Sequence, residues 1–153
     1  MGVYSFLDVQ AAISGPAGAF SLSDGGVSNE GISTAMAGDK NSMMTGAGGD
    51  GMHSLHASKA GRVSIRLLKT GRANALLSVM YNQQTTSSAY HGQNTITIRN
   101  PVTGDSTTCR QCAFVKQPDN VNAMDGGIKT WEFDAIYIDE VLGTGAPVSD
   151  IIP

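Results

Sequence analysis

Residues 62–69 read RVSIRLLK, and the alternation of apolar and polar side chains in this stretch decides the fold class. Successive side chains of a β-strand point to opposite faces of the sheet, so every second residue shares a face. The apolar set is Val63, Ile65 and Leu67, and the polar set is Arg62, Ser64 and Arg66. The stretch therefore predicts a strand with one buried and one solvated face, as in antiparallel sheets.

The same period of two predicts further strands on both sides of this one. A first strand or extended arm is expected over residues 3–14, and strands are expected over 32–37, 41–45, 52–57, 95–99, 109–116 and 128–139, with a turn-rich connection over 18–31. The last strand is expected to place Trp131, Phe133, Ala135 and Tyr137 on one face and Glu132 and Asp134 on the other. Strands thus account for most of the predicted structure.

A single helix is predicted over residues 72–88, with Thr70 as its N-cap. Its apolar stripe contains Ala73, Leu76, Leu77, Met80 and Tyr81. The 153 residues suit one domain, 1–153, with extended arms at both termini. The predicted class is α+β, mainly β: antiparallel strands with one flanking helix.

Charge is unevenly distributed along the chain, although the net charge is only −3. Residues 51–104 contain six Lys and Arg and no acid, whereas residues 1–50 and 105–153 are both acidic. Such a basic segment fits phosphate binding, but it has no interleaved aromatic residues. A second interpretation is that the basic and acidic segments form two different surface patches, which meet head to tail when copies of the chain associate. A third interpretation is an ordinary solvated face.

Residues 45–56, TGAGGDGMHSLH, contain the spacing of a dinucleotide-binding loop at Gly46, Gly48 and Gly51. That motif requires a strand before it, a helix after it and an acid about 20 residues later. Here a strand pattern follows, and the next acid is Asp105. We therefore expect a glycine-rich hairpin and no dinucleotide.

The remaining polar motifs also give no site. Cys109 and Cys112 form one C-x-x-C inside a strand pattern, where side chains three apart face opposite ways and share neither metal nor disulfide. His53, His56 and His91 suggest zinc only weakly. We expect no enzyme activity, no cofactor and no metal. No apolar run is long enough for a membrane span, and no signal peptide is visible.

Four longer phrases resemble a family of known proteins. These phrases are YSFLDVQAAISGPAGAFSL, DKNSMMTGAGGDGMHSLHASKAGRVSIRLLKT, HGQNTITIRNPVTGD and WEFDAIYIDEVLGTG. The family is that of tail tube proteins of contractile-tailed bacteriophages, which are similar to the tube proteins of pyocins and type VI secretion systems. The resemblance runs from about residue 3 to residue 145.

The resemblance implies a β-sandwich or partial barrel whose inner strands join between six subunits into one ring-shaped barrel. Rings stack into a tube that conducts DNA during ejection without binding it specifically. The implied partners are other copies of the chain, the tail sheath, the baseplate or tail terminator and the tape measure protein, with no membrane anchor. The protein is expected in the virion, after assembly in the host cytoplasm.

The resemblance also suggests which residues meet other copies. A long loop at about 38–53 is the candidate inter-ring contact, because such tubes use a hairpin there and Met packs adaptably. The candidate contact residues are Met43, Met44, Gly48, Asp50, Met52, Arg62 and Arg66. Glu132 and Asp134 are candidates for an acidic lumen, which repels phosphate.

Three other functions stay open at this point, the last of them a small metal or redox protein built on Cys109, Cys112 and the histidines. The first is the inner tube of a pyocin-like or secretion particle, which carries no DNA. The second is a nucleic-acid-binding module that uses Lys59, Arg62, Arg66, Lys69 and Arg72. Such a module predicts DNA affinity that falls steeply with salt, whereas a tube predicts almost none.

Overall fold

The computed structural model describes residues 3–23 and 26–145. These residues form nine strands, one α-helix and a short 3-10 helix at Phe6–Asp8. The strands are β1 (Gln10–Gly15), β2 (Gly18–Ser21), β3 (Val27–Met36), β4 (Asn41–Thr45), β5 (Gly51–Leu55), β6 (Gly61–Leu68), β7 (Asn94–Asn100), β8 (Asp105–Phe114) and β9 (Ile128–Val141), and the helix α1 is Ala73–Gln84. The prediction of a mainly β fold with one helix is confirmed.

Seven strands form one sheet in the order β2-β1-β7-β8-β9-β6-β3, and β4 and β5 form a separate two-stranded sheet. Every pairing between these strands is antiparallel. The large sheet is curved, because Ile32 on β3 and Ile98 on β7 line the same cavity although they lie four strands apart. Within the described residues the sheet stays open, with β2 and β3 as its edges.

The core lies between α1 and the face of the sheet centred on β6 and β9. Val63 pairs with Phe133 and Ile65 with Trp131, and all four side chains are buried. The indole Nε1 of Trp131 donates a hydrogen bond of 2.9 Å to Oδ1 of Asn74 on the helix. Burial of these large side chains supplies most of the driving force, at about 25 cal/mol per Å² of apolar surface.

The predicted helix is confirmed, but it ends at Gln84, four residues before the predicted end, and its N-terminal cap differs from the prediction. It begins at Ala73, and the capping position is Arg72, which makes no side-chain cap bond. Thr70 lies too far upstream of the first turn to cap it. Asn74, in the first turn, donates through Nδ2 to the carbonyl of Leu68 at 2.8 Å, which ties the helix start to the end of β6 without capping the helix. With 12 residues, α1 is too short to span a membrane, and no other described helix is long and apolar enough.

The predicted stripe of α1 is buried at Ala73, Leu77 and Met80, whereas Leu76 is 46% exposed. Tyr81 packs against the core, with its ring 5.5 Å from that of Phe114. The helix therefore rests on the sheet along a narrower stripe than the sequence predicts.

Two predictions for the N-terminal third are wrong. Residues 18–31 are not simply a connection, since they contain β2 and the first half of β3. The glycines in this segment led to the prediction of turns. Gly18 and Gly31 have φ of +130° and +71°, a region that favours glycine, but they lie within the strands β2 and β3. Residues 3–14 also do not form one strand. A 3-10 turn capped by Ser5 Oγ, which accepts from Leu7 N at 3.1 Å, precedes β1.

The alternation of faces reverses once within β8, and this overturns the argument about the two cysteines. Cys109 and Cys112 are both fully buried in the core although they are three residues apart. Gln111 between them has φ of 53°, and the register of β7 against β8 shifts between Asn94 and Ile96. Such a bulge adds one residue to one strand and so brings positions i and i+3 to the same face.

The same reversal corrects the predicted core face of β9. Ala135 pairs with Cys112 and Ile138 with Cys109, and both partners on β9 are buried. Tyr137, which the sequence places on the core face, is 41% exposed.

A buried pair of amides joins the end of α1 to the start of β7. Gln84 Nε2 donates to Asn94 Oδ1 at 2.7 Å, and Asn94 Nδ2 donates to Gln84 Oε1 at 2.6 Å. Both side chains are buried, so each amide depends on the other for its hydrogen bonds. Gly15 on β1 packs directly on this pair: a Cβ added there would lie 2.1 Å from Asn94 Oδ1.

We predict that Gly15→Ala destabilises the protein by about 1–3 kcal/mol, because the methyl group separates two buried amides that lack other partners. Denaturant unfolding followed by circular dichroism measures the change. Gly38→Ala is the matched control, since nothing lies within 4 Å of its Cβ position. Equal unfolding midpoints for the two variants would contradict the prediction.

Candidate functional site

The glycine motif that opens residues 45–56 is the turn of a hairpin between β4 and β5. Gly46 N donates to the carbonyl of Asp50 at 2.7 Å, and Gly49 N donates to the carbonyl of Gly46 at 3.1 Å. Gly49 has φ of +88°, which glycine adopts without strain. Gly51 then begins β5 and not a helix, so the surroundings of a dinucleotide loop are absent, as predicted.

The hairpin exposes methionine on both of its faces. Met44 lies opposite Met52 on one face, with 68% and 57% of their surfaces exposed. Met43 lies opposite His53 on the other face and is 65% exposed. Gly48 and Asp50 occupy the turn, also exposed. Among residues 3–23 and 26–145, β4 and β5 pair only with each other, so the hairpin forms a separate sheet.

The base of the hairpin is closed by residues that the sequence suggested as weak metal ligands. His56 N donates to the carbonyl of Lys40 at 2.9 Å, and Lys40 Nζ donates to the carbonyl of His56 at 3.1 Å. His53 Nδ1 lies 3.2 Å from Asn41 Nδ2. Over residues 3–23 and 26–145, no group of three His, Cys, Asp or Glu side chains is arranged to hold a metal ion.

The second candidate surface is the face of the large sheet opposite the core. Arg62 on β6 binds two carboxylates of β9, with Nη1 3.2 Å from Glu132 Oε2 and Nε 3.2 Å from Asp134 Oδ1. Arg66 lies on the same face and donates through Nη1 to Ser33 Oγ at 3.2 Å. The sequence assigned these arginines and these acids to two different surfaces, and the structure brings them onto one.

The expected separation of basic and acidic patches is wrong on this face. Lys59 from the basic segment binds Asp139 Oδ1 at 3.1 Å, and Arg110 binds Asp139 Oδ2 at 3.0 Å. The hydrogen bond from Lys59, together with its charge and that of Arg110, lowers the pKa of the Asp139 carboxyl. These pairs are solvent-exposed, so they neutralise the face while adding little stability.

The five cations of residues 59–72 also do not form one uninterrupted basic surface. Lys59 and Arg62 are paired with acids, and Lys69 Nζ donates to the carbonyl of Val121 and to Asn122 Oδ1. This last contact anchors an extended loop, residues 115–127, whose first two residues the sequence assigned to the strand over 109–116. An arrangement of this kind disfavours a phosphate-binding stripe, which needs cations that face solvent together.

Cys109 and Cys112 are free thiols inside the core. Burial is the main cause that raises the pKa of Cys109 to about 11 and that of Cys112 to about 12. Cys112 Sγ lies 3.4 Å from the carbonyl oxygen of Cys109. Because the thiolate is the reactive form, these cysteines are chemically inert near neutral pH.

Comparison with known protein families agrees with the geometry. The family model described as Bacteriophage PhiTE tail tube protein matches residues 1–143. None of the curated proteins matches the chain.

Solved structures of contractile injection systems share the fold. A chain of the cryo-EM structure of the anti-feeding prophage (AFP) baseplate, 6-fold symmetrised, matches with a TM-score of 0.59 and 12% identity, covering 89% of this chain and 93% of that one. A chain of the extended PVC sheath/tube terminator has a TM-score of 0.53 and 12% identity, with 92% and 96% covered. A chain of the extended PVC sheath-tube complex has values of 0.52 and 11%, with 87% and 88% covered.

We predict that both cysteines of the folded protein resist a thiol reagent such as Ellman's reagent at pH 8. The raised pKa of Cys109 alone lowers its thiolate fraction about 100-fold relative to a thiol of pKa 9, and burial slows the reaction further. Labelling in denaturant should release two thiols at once. Rapid labelling of the native protein would contradict the buried placement.

Proposed function

Because the chain belongs to the bacteriophage PhiTE tail tube protein family, we propose that it is a structural subunit of the inner tube of a contractile phage tail. In this proposal six copies close into a ring, and rings stack into a hollow tube that conducts DNA. The role is structural, and the family is typically non-enzymatic. The observation that carries the proposal is the exposed methionine hairpin, which forms a sheet of its own apart from the large one.

The open edges of the large sheet support ring closure. β2 and β3 each have one side without a strand partner among the described residues. An unpaired edge is a template for another strand, and natural proteins cover it or join it. When the sheets of neighbouring copies pair around a ring, they close into one barrel and no edge stays unpaired. The number of strands then sets the diameter of the barrel.

The hairpin supports stacking between rings. An isolated two-stranded hairpin is only marginally stable in water. Burial of its exposed methionines against a neighbouring copy is therefore favourable. We assign the inter-ring contact to Met43, Met44 and Met52, with Gly48 and Asp50 at the tip. Stacking of this kind is a heterologous contact that does not close, so it produces a filament.

We assign the ion-paired face of the sheet to the lumen, with Arg62 and Arg66 beside Glu132 and Asp134. This revises the acidic lumen expected from the sequence, because Arg62 neutralises part of the charge of both acids. A surface of paired charges and hydroxyls is well hydrated and has little net attraction for phosphate. DNA then passes without the counterion release that drives binding to an exposed basic groove.

A closely related assignment is the inner tube of an injection particle. The similar chains in AFP and PVC structures favour it, since those are structures of a baseplate, a sheath-tube complex and a tube terminator. In both assignments the partners are a sheath, a baseplate and a terminator, and the tape measure protein is added for a phage. The subunit is a component of the particle, assembled in the host cytoplasm. The DNA content of purified particles separates the two.

The first test is electron microscopy of the purified protein over a concentration series, with mass from light scattering. We expect six-fold rings and hollow tubes. Failure to form either, even with baseplate or sheath protein added, would argue against the tube. Nuclease-resistant DNA complexes that dissociate with rising salt would point to the nucleic-acid module instead.

Replacing Met43, Met44 and Met52 together with Ser should abolish tubes while leaving single rings. The free energy of unfolding should change by less than about 1 kcal/mol, because all three side chains are exposed. The matched control is Leu76→Ser with Val79→Ser on the outer side of α1, where the side chains are 46% and 63% exposed. Tubes of normal length in the triple variant would remove the hairpin from the stacking contact.

A further inference from the structure

A cavity of about 200 Å³ lies at the opposite end of β9 from the attachment of α1. The helix is fastened to Trp131 near the start of β9, whereas Glu140 near its end lines the cavity, about 30 Å further along the strand. None of the described residues that line the cavity belongs to α1. Part of its wall comes instead from residues 3–9, the segment before β1, which we call the arm.

The cavity has an apolar part and a polar part. Ile32 on β3 and Ile98 on β7 are partly buried and supply apolar surface, as does Leu142 beyond the end of β9. Asn100 at the end of β7 and Thr107 on β8 are buried and supply polar groups. Apolar surface with a few placed polar groups is typical of a site that binds an amphipathic group.

The charged residues that line the cavity are Arg99, Asp105 and Glu140. Arg99 is exposed and alternates with the inward-facing residues of β7, so its side chain belongs to the other face of the sheet. Asp105 Oδ1 accepts from Gly143 N at 2.8 Å, and Glu140 Oε1 accepts from Thr107 Oγ1 at 3.4 Å. Each carboxylate keeps a second oxygen that accepts no hydrogen bond from the described residues. These oxygens are free to accept from a donor that enters the cavity.

One buried donor in the cavity wall lacks an acceptor. Asn100 is 4% exposed, and its Oδ1 accepts from the backbone N of Val102 at 3.2 Å and of Thr103 at 3.3 Å. These bonds set the orientation of the amide, and its Nδ2 has no partner among the described residues; Thr103 Oγ1 is also without one. A buried donor without an acceptor is destabilising. A hydroxyl group in the cavity would accept from Asn100 and donate to a carboxylate.

The arm carries such a hydroxyl at the edge of the cavity. Tyr4 lines the cavity, yet it is 70% exposed. It makes no hydrogen bond to the rest of the described chain, whereas the 3-10 turn that follows is held by the backbone and side chain of Ser5. The ring of Tyr4 can therefore turn inwards without breaking a hydrogen bond. Phe6, the other aromatic residue of the arm, belongs to the turn and has no hydroxyl.

We propose that the arm is a strap that closes over this cavity by inserting Tyr4. The ring packs between Ile32 and Ile98, and its hydroxyl accepts a hydrogen bond from Asn100 Nδ2 and donates one to Glu140. The volume suffices, since an apolar cavity of about 150 Å³ already holds benzene. The strap acts within one subunit, so it does not depend on the proposed tube.

The two positions of the strap differ in the apolar surface that the free subunit exposes. In the open position the ring of Tyr4 lies in water and the cavity is accessible. In the closed position the ring covers Ile32 and Ile98 and seals the end of the core that α1 does not cover. Exposed apolar patches promote contacts with other proteins. Closure therefore makes the free subunit less prone to non-specific association.

Binding of p-cresol, which has the shape of the tyrosine side chain, tests the strap. With Tyr4→Ser the strap no longer competes for the cavity. We expect p-cresol to bind this variant at least about threefold more tightly than the unmodified protein, as for a strap closed in about two thirds of the molecules. Nuclear magnetic resonance measures the affinity and should show shifts at the methyl groups of Ile32 and Ile98 and at the side-chain amide of Asn100.

The matched control is Leu7→Ser, which lies on the same arm and replaces a side chain that is 95% exposed. This variant should bind p-cresol like the unmodified protein. Equal affinity in all three proteins would overturn the strap. So would a lack of binding to Tyr4→Ser, or binding that leaves the signals of Ile32, Ile98 and Asn100 unchanged.

Toluene tests the part played by the hydroxyl. It is more apolar than p-cresol and so enters a purely apolar cavity more readily. We nevertheless expect p-cresol to bind Tyr4→Ser about fivefold more tightly than toluene, because only p-cresol bonds to Asn100 Nδ2 and Glu140. Equal or tighter binding of toluene would mean that a water molecule satisfies Asn100, and would overturn the proposed closed position.

Discussion

Backbone hydrogen bonds between β6 and β9 hold Ile65 opposite Trp131, and this register determines what both faces of the sheet carry. On one side it gathers the core, against which α1 is fastened through the bond from Trp131 to Asn74. On the other it brings Arg62 beside Glu132 and Asp134. A slip of one residue would exchange the two faces, so the apolar alternation specifies the pairing strongly.

Much of this arrangement follows from local patterns in the sequence. The alternation of apolar and polar side chains correctly predicted β4, β6, β7 and the core face of β9 up to Ala135. The apolar stripe correctly predicted where α1 lies. The misses arise where a non-local contact overrides the local pattern. The bulge at Gln111 depends on how β7 and β8 align, and it alone puts Cys109 and Cys112 on one face. The distribution of charge along the sequence likewise does not show that Arg62 pairs with Glu132 and Asp134, which are 70 and 72 residues away.

The surfaces proposed for assembly were predicted unevenly for the same reason. Glycine and methionine at 43–52 indicate an exposed hairpin because turn chemistry is local. The extended loop 115–127 gave no comparable signal, since Lys69, which anchors it, lies on another segment of the chain. Structures at 11–12% identity nevertheless share the fold. This fits a core that is specified by the alternation and total volume of its apolar side chains more than by particular residues.

In the proposed tube, the separateness of the hairpin has a consequence for how a joint between rings forms. A ribbon that lacks support from the rest of its own chain must be ordered by the contact it makes, and this cost weakens each contact taken singly. Contacts that act around one ring are linked, however, so that once some are made the others form at high effective concentration. In the proposed tube, a misplaced subunit therefore dissociates easily, whereas a completed ring stays bound. Wrongly placed subunits are removed before the contact between two rings is complete.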